Sequence, residues 1–143
     1  MKFFCLALAL TLCGCSSFNR DWKKAKVPSV NENSMAGPWE GTWSSDMNHH
    51  DGGLRCLMTP ATNSVYQARF RATYGKFFWF NYEVPMEVQP HFGGWEFSGD
   101  ADLGKMAGGN YYFEGRATTT NLRSTYRSSS DHGVFELKRP EKR

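Results

Sequence analysis

The sequence predicts an all-β protein whose strands follow one another as an antiparallel up-and-down meander and close into a small barrel. Three observations support this prediction. From residue 37 onward, apolar and polar residues alternate with a period of two, which is typical of a strand with one buried face. Clusters of Gly, Asn, Asp, Ser and Pro separate the alternating runs. No segment shows the periodicity of an amphipathic helix, and residues 103–107 could form at most one turn.

About eight alternating runs carry this prediction. In the first, Trp39, Gly41 and Trp43 lie two apart and therefore share one face of an extended chain. In the fourth, Pro85 lacks a backbone N–H, so we expect that strand to bend or to reach a sheet edge there. Eight strands suit a barrel whose interior is nearly filled by side chains, and an open β-sandwich of the same strands is the alternative. The runs are residues 37–43, 54–58, 65–74, 77–88, 95–103, 111–117, 122–127 and 133–138.

Composition limits the classes of protein that the chain can belong to. Its 143 residues suit one domain, which we place at residues 37–139, with residues 140–143 as a disordered tail. The formal net charge of +3 is too small to indicate a nucleic-acid partner, and we expect none. Of the four cysteines only Cys56 lies in the domain, so we expect a buried thiol there and no disulfide framework.

The first fifteen residues have the features of an export signal. Lys2 supplies a positive charge, and the uncharged apolar run at residues 3–12 is too short to cross a bilayer as a helix. The run ends in Leu12-Cys13-Gly14-Cys15, which resembles the lipobox of bacterial lipoproteins. The resemblance implies a signal peptide over residues 1–14 and acylation of Cys15 with two or three chains. A plain signal peptide or a membrane-proximal segment is the alternative.

The resemblance also implies a location and a membrane partner. Acyl chains on Cys15 would anchor the protein to a membrane of the cell envelope. No Asp follows at the second mature position, and in the enterobacterial sorting rule this points to the outer membrane of a Gram-negative bacterium. We interpret residues 15–36 as the lipidated N-terminus and a flexible tether, because neither strand nor helix periodicity is sustained there. Its basic residues either lie on anionic headgroups or are merely solvated.

The early tryptophans carry a second resemblance. Gly37-Pro38-Trp39 and Gly41-Thr42-Trp43 both match a Gly-x-Trp motif on the first strand of a meander. This resembles the calycins, the group of lipocalins and avidins, and the second motif is the more avidin-like. The resemblance implies an eight-stranded barrel over residues 37–139. In lipocalins it also implies a late basic residue packed over the first-strand Trp, a position that Lys138 or Arg139 suits.

For function, the sequence favours a non-catalytic binding protein. A small apolar molecule is the ligand class that we consider. Large and small residues alternate on the inward faces, so we expect a filled interior with at most a shallow pocket at one mouth. We expect no cofactor and no enzymatic activity. No nucleophile has a base at a recognisable motif spacing, and no glycine-rich phosphate loop follows a strand. The residues expected to bind the ligand are Trp39, Trp43, Phe70, Phe80, Trp95 and Phe113.

Two alternatives stay open. The first is an interaction module for envelope proteins, or a barrel resembling a protease inhibitor, that uses loops or the exposed aromatic residues Phe77 and Trp79. The second, less favoured, is a metal-dependent site. In a closed meander the first and seventh turns lie at the same end, which would bring His49 and His50 near His132, whereas His91 would lie at the other end.

Overall fold

The computed structural model describes residues 17–141, and it confirms the predicted fold class. Eight antiparallel strands follow in order around a closed barrel, so the open-sandwich alternative does not apply. One 3-10 turn at Lys105–Ala107 interrupts the connection between the fifth and sixth strands. The strands are β1 (Gly37–Ser45), β2 (Asp51–Thr62), β3 (Val65–Tyr74), β4 (Phe78–His91), β5 (Gly94–Asp102), β6 (Asn110–Ala117), β7 (Asn121–Arg127) and β8 (His132–Lys138).

The barrel closes because β1 pairs with β2 on one side and with β8 on the other. Its two ends are therefore distinct. The end of β1, marked by Ser45, lies at what we call the open end, together with the connections 46–50, 75–77, 103–109 and 128–131. The start of β1 lies at the opposite end, which we call the Arg139 end, with the connections 63–64, 92–93 and 118–120.

The interior is filled by inward-facing side chains, as the alternation predicts. Phe70 stacks on Tyr82 with ring centroids 5.0 Å apart, and Phe135 lies 5.6 Å from Phe70. Phe113 stacks on both Phe70 and Tyr82 at 6.3 Å. Aromatic rings bring a large apolar area into contact and prefer such offset arrangements. The middle of the barrel is therefore a packed aromatic layer that separates the two ends.

Pro85 marks an irregularity in β4, at the position where the sequence predicts one. β4 pairs with β3 along the whole run from Tyr74↔Phe78 to Val65↔Glu87. Within the described residues, its pairing with β5 begins only at Met86↔Gly99. The first half of β4 therefore diverges from β5 at the open end, and the connection 103–109 lies at that same end.

The N-terminal segment differs from the tether predicted for residues 15–36. Residues 17–24 form a helix, α1, that packs against the outer face of the barrel. Phe18 and Trp22, four residues apart, share the helix face that contacts Leu57, and these three side chains are 2%, 5% and 6% exposed. Residues 17–24 thus have a regular structure that their periodicity did not predict, because the aromatic pair Phe18 and Trp22 has an apolar partner, Leu57, on β2.

Polar contacts fix the position of α1. Arg69 of β3 donates to the Asp21 carboxylate at 2.8 Å, and Arg71 donates to the Asn19 side chain at 2.6 Å. The chain then continues from residue 25 across the Arg139 end into β1. None of the described helices is long and apolar enough to cross a bilayer. The signal peptide and Cys15 lie outside the described residues, as do residues 142–143.

Candidate binding site at the open end of the barrel

The Arg139 end is closed over Trp39. Met35, like Trp39, is completely buried, and the indole N–H of Trp39 donates to the Met35 carbonyl at 3.0 Å. The guanidinium carbon of Arg139 lies 3.7 Å from the centroid of the Trp39 ring. Arg139, rather than Lys138, therefore occupies the position over a first-strand Trp that the sequence resemblance implies. The tryptophan concerned belongs to the first Gly-x-Trp motif, not to the more avidin-like second one.

Arg139 also holds the N-terminal segment onto the barrel. Its Nη2 donates to the Ser34 carbonyl at 2.8 Å, and its Nη1 donates to the carbonyls of Ala36 at 2.8 Å and Pro38 at 3.1 Å. Burial lowers the pKa of Arg139 to about 10, so the guanidinium stays charged at neutral pH. The planar guanidinium of an arginine can donate to several carbonyls at once in a fixed geometry, whereas the ammonium group of a lysine cannot.

Gly37 makes this closure possible. Its φ of +96° is in the region that favours glycine, and a Cβ there would lie 2.9 Å from the Lys26 carbonyl oxygen. The same Cβ would lie 3.5 Å from Nη1 of Arg139. Gly37, the glycine of the first Gly-x-Trp motif, is therefore required by the close approach of the N-terminal segment.

The open end carries a pocket of ≈ 230 Å³ in the mouth of the barrel. Its wall is formed by residues from β1, β3, β4, β6, β7 and β8 and by the connections next to β5 and β8. Most of these residues are aromatic, and the pocket is therefore apolar with phenol groups at a few points. The lining residues are Trp43, Ala72, Tyr74, Phe80, Tyr82, Leu103, Ala107, Tyr111, Phe113, Tyr126, Asp131 and Phe135.

Trp43 and Tyr74 form one side of the mouth. Their rings stack with centroids 6.3 Å apart, and the Trp43 indole N–H donates to the Thr73 carbonyl at 2.9 Å. The Tyr74 hydroxyl lies 3.1 Å from Nδ1 of His50, whose ring packs edge-on against the phenol. These contacts position the aromatic wall in advance of any ligand, so little side-chain freedom would be lost on binding.

The polar groups of the pocket include four phenols and one carboxylate. The Tyr126 hydroxyl donates to the Ser44 carbonyl at 3.0 Å, and the Ser45 hydroxyl donates to the Asp131 carboxylate at 2.5 Å. Burial raises the pKa of Tyr82 well above its ordinary value, and burial and the Asp131 charge do the same for the pKa of Tyr126. Both phenols are therefore neutral at physiological pH and act as hydrogen-bond donors rather than as bases.

The structure brings three of the six expected ligand residues to this pocket: Trp43, Phe80 and Phe113. Phe70 lies beneath it in the packed layer and is 3% exposed. Two tryptophans, Trp39 and Trp95, belong to the opposite half of the barrel, where Trp95 pairs with Ala117. The inward alternation alone therefore could not say which end would be open.

The tyrosines of the pocket were not among the expected ligand residues. Tyr82 and Tyr126 lie on the inward face of the same alternating runs as the phenylalanines, and Tyr74 and Tyr111 lie at strand ends. The signal that could have found them is their position. Each lies on the half of its strand next to the same set of turns, once the meander is followed around the barrel.

The histidines do not assemble a metal site. The first and seventh connections do share the open end, and His91 does lie at the other end, as the topology predicts. His50, however, contacts Tyr74, and Nε2 of His132 lies 4.0 Å from the Asp46 carboxylate. Among residues 17–141 no group of three or more His, Cys, Asp or Glu side chains is arranged to hold a metal ion.

Other depressions are lined in part by arginine, lysine or glutamate side chains. One of ≈ 490 Å³ at the Arg139 end includes Trp95, but it also includes the exposed side chains of Arg123 and Glu136, which form an ion pair. Another, of ≈ 470 Å³, lies over the cross-strand ion pair of Glu96 with Arg116, joined at 2.9 Å. Arg116 and Arg123 are thus engaged in cross-strand pairing. The mouth pocket, whose lining is mostly aromatic, is the candidate site.

Comparison of the chain with protein-family models, with curated proteins and with solved structures finds no match.

Proposed function

We propose that this chain is a lipid-anchored, non-catalytic binding protein of the cell envelope, with a calycin-like barrel that takes a small apolar ligand at its open end. The observation that carries the proposal is the aromatic pocket of ≈ 230 Å³ in the mouth. Its size falls below the roughly 300–1,000 Å³ of pockets for drug-sized ligands. The ligand class is therefore a single ring or the end of an acyl chain.

The chemistry of the wall supports binding of such a molecule. Rings from Trp43, Phe80 and Tyr111 offer flat apolar surfaces, and the neutral phenol of Tyr82 offers a hydrogen bond to one acceptor atom of a ligand. Transfer of an apolar group from water to contact with such a wall is favourable by about 25 cal/mol of free energy per Å² of buried apolar area. A small ligand would therefore bind with modest affinity and exchange readily.

The anchor is supported by the lipobox resemblance at Leu12-Cys13-Gly14-Cys15. The calycin likeness is supported by the closed eight-stranded meander and by Arg139 over Trp39 at the closed end. Under this proposal the acyl chains on Cys15 hold the barrel at the outer membrane of a Gram-negative cell, and the pocket samples apolar molecules near that surface.

The test compares two leucine substitutions in the protein purified from its own membranes. Ala72→Leu adds apolar volume inside the pocket, which Ala72 lines. Thr125→Leu places the same side chain on β7, where Thr125 is exposed on the outer face. Mass spectrometry of each preparation reports both the mass of the N-terminal Cys15 peptide and the small molecules that co-purify.

We expect a small apolar molecule with the wild type and with Thr125→Leu, and a loss of at least tenfold with Ala72→Leu, because the added side chain occupies the binding space. Equal amounts in both variants, or no such molecule with the wild type, would count against the pocket. An unmodified Cys15 would count against the anchor independently of the pocket.

A further inference from the structure

The tip of the β3–β4 hairpin is an exposed aromatic surface. Phe77, Phe78 and Trp79 are 79%, 71% and 52% exposed, and Tyr74 and Lys76 adjoin them in the chain. Three consecutive aromatic side chains in water are unfavourable, and contiguous exposed apolar surface of this kind marks an interaction site. We refer to residues 74–79 as the aromatic tip.

The side chain of Arg71 connects the aromatic tip to helix α1. The guanidinium of Arg71 lies over the Trp79 ring, 5.0 Å from its centroid, and the same group donates to the Asn19 side chain at 2.6 Å. Arg69, two residues earlier on β3, donates to the Ser17 hydroxyl at 3.4 Å. Residues 17–19 of α1 therefore lie beside the hairpin, on the outer face of β3.

The short stretch of sequence between Cys15 and Ser17 limits where the proposed anchor can lie. Cys15 precedes Ser17 by two residues, and two residues of extended chain span at most about 7 Å. Acyl chains attached to Cys15 would therefore enter a membrane close to the β3 side of the barrel. A bilayer held there lies on the same side as the aromatic tip, and that tip is at the open end.

We propose that the aromatic tip inserts into the headgroup region of the membrane that holds the Cys15 anchor, so that the open end of the barrel faces the bilayer. The proposal rests on the lipid anchor of the proposed function. Trp and Phe side chains flanked by a Lys, here Lys76, suit this region, because the rings enter the apolar boundary while the charges stay among the headgroups.

This orientation also narrows the ligand class. With the aromatic tip in the headgroups, the mouth pocket opens toward the bilayer rather than toward bulk water. Phe80, one residue beyond the tip, lines the pocket and is 43% exposed, so apolar surface continues from the tip into the barrel. The ligand is then a molecule that partitions into the membrane and reaches the pocket without crossing water.

Fluorescence quenching by bromine in lipid acyl chains tests this orientation. The full acylated protein, with Trp79→Phe as background, is reconstituted in vesicles of phosphatidylethanolamine and phosphatidylglycerol, with or without brominated acyl chains. Phe77→Trp then places a reporter on the aromatic tip. Phe92→Trp is the matched control, since Phe92 is a fully exposed hairpin aromatic at the Arg139 end.

We expect brominated lipid to quench the reporter at residue 77 at least twofold more than the reporter at residue 92. Equal quenching at both positions, or none at residue 77, would overturn the proposal. In the second case the aromatic tip would instead be free to bind a protein. Flotation of the protein with the vesicles reports the anchor separately, so a failed anchor and a misplaced tip give different results.

Discussion

The two ends of the barrel use the same residue type in opposite ways. Trp39 and Trp43 lie four residues apart on β1 and belong to the same inward face. At the Arg139 end, Trp39 is fully buried beneath a guanidinium and its indole donates to the Met35 carbonyl. At the open end, Trp43 is half-buried and lines a pocket. The difference lies in what the rest of the chain places over each ring.

At the Arg139 end, distant parts of the chain converge. Residues 34–38 and Arg139, about a hundred positions apart, share three of the hydrogen bonds described above. At the open end, the first half of β4 diverges from β5, and a connection with a single 3-10 turn lies at the rim. One end is thus covered by other parts of the chain, and the other holds the pocket. The predictions below test this division, from the largest effect to the smallest.

The largest effect is expected for Arg139→Ala. The change removes the cation over Trp39 and leaves the carbonyls of Ser34 and Ala36 without their donor, so the free energy of unfolding should fall by about 3 kcal/mol. Arg139→Lys should recover less than half of this loss, because an ammonium group cannot hold the same fork of carbonyls. Urea unfolding measures both variants.

The pocket variant provides the matched comparison at the other end. Ala72→Leu should change the free energy of unfolding by less than about 1.5 kcal/mol, since the added side chain enters open space. If Arg139→Ala proved as mild as Ala72→Leu, the assignment of stability to one end would be wrong.

A smaller effect on the free energy of unfolding is expected at alkaline pH. It comes from ionisation of the Cys56 thiol and reports how far water reaches into the barrel from the open end. Burial raises the pKa of the Cys56 thiol above its ordinary value of 9.0. The folded state therefore holds this proton more tightly than the unfolded state. The stabilisation is complete below pH 9 and is lost as the pH rises, by at most about 1.4 kcal/mol per pH unit.

Urea unfolding of the wild type and of Cys56→Ala at pH 8, 9 and 10 measures this loss of stability. The wild type should lose stability between pH 9 and 10, whereas the variant should follow a flatter profile over that interval. Parallel profiles would mean that the thiol ionises near its ordinary value in contact with water from the pocket, and the aromatic layer would then not separate the two ends.

The smallest effect is expected on the side wall, away from both ends. The hydrogen bond from Arg69 lowers the pKa of Asp21 below its ordinary value of 3.8. The stabilisation from this pair is present above that value and is lost as the pH falls below it. Thermal unfolding between pH 5 and 2 should therefore show a slightly steeper decline for the wild type than for Asp21→Asn. A steeper decline in the variant would contradict the assigned sign.

The sequence allowed the strands to be predicted because each one alternates against a single core. The run from Val65 to Tyr74 shows this best, and the observed β3 has those bounds. Closure followed from the number of strands. The position of Pro85 also indicated where β4 would leave its neighbour β5, because a residue without an N–H weakens a sheet ladder.

Helix α1 and the pocket depended on information that local patterns do not contain. A short helical segment has little stability alone, and residues 17–24 are held by contacts with the outer wall, among them the apolar contact with Leu57. The aromatic residues Trp95 and Phe80 look alike as inward positions in the sequence. Which of them lines the pocket follows from the end of the barrel at which each lies, and that depends on the path of the whole meander.

The layer of rings around Phe70, together with the cover over Trp39, makes the barrel blind-ended. Under the proposed function, a ligand that enters the pocket at the open end also leaves there. The fraction of the protein with bound ligand would then depend on how the ligand partitions between the pocket and the medium directly outside the open end.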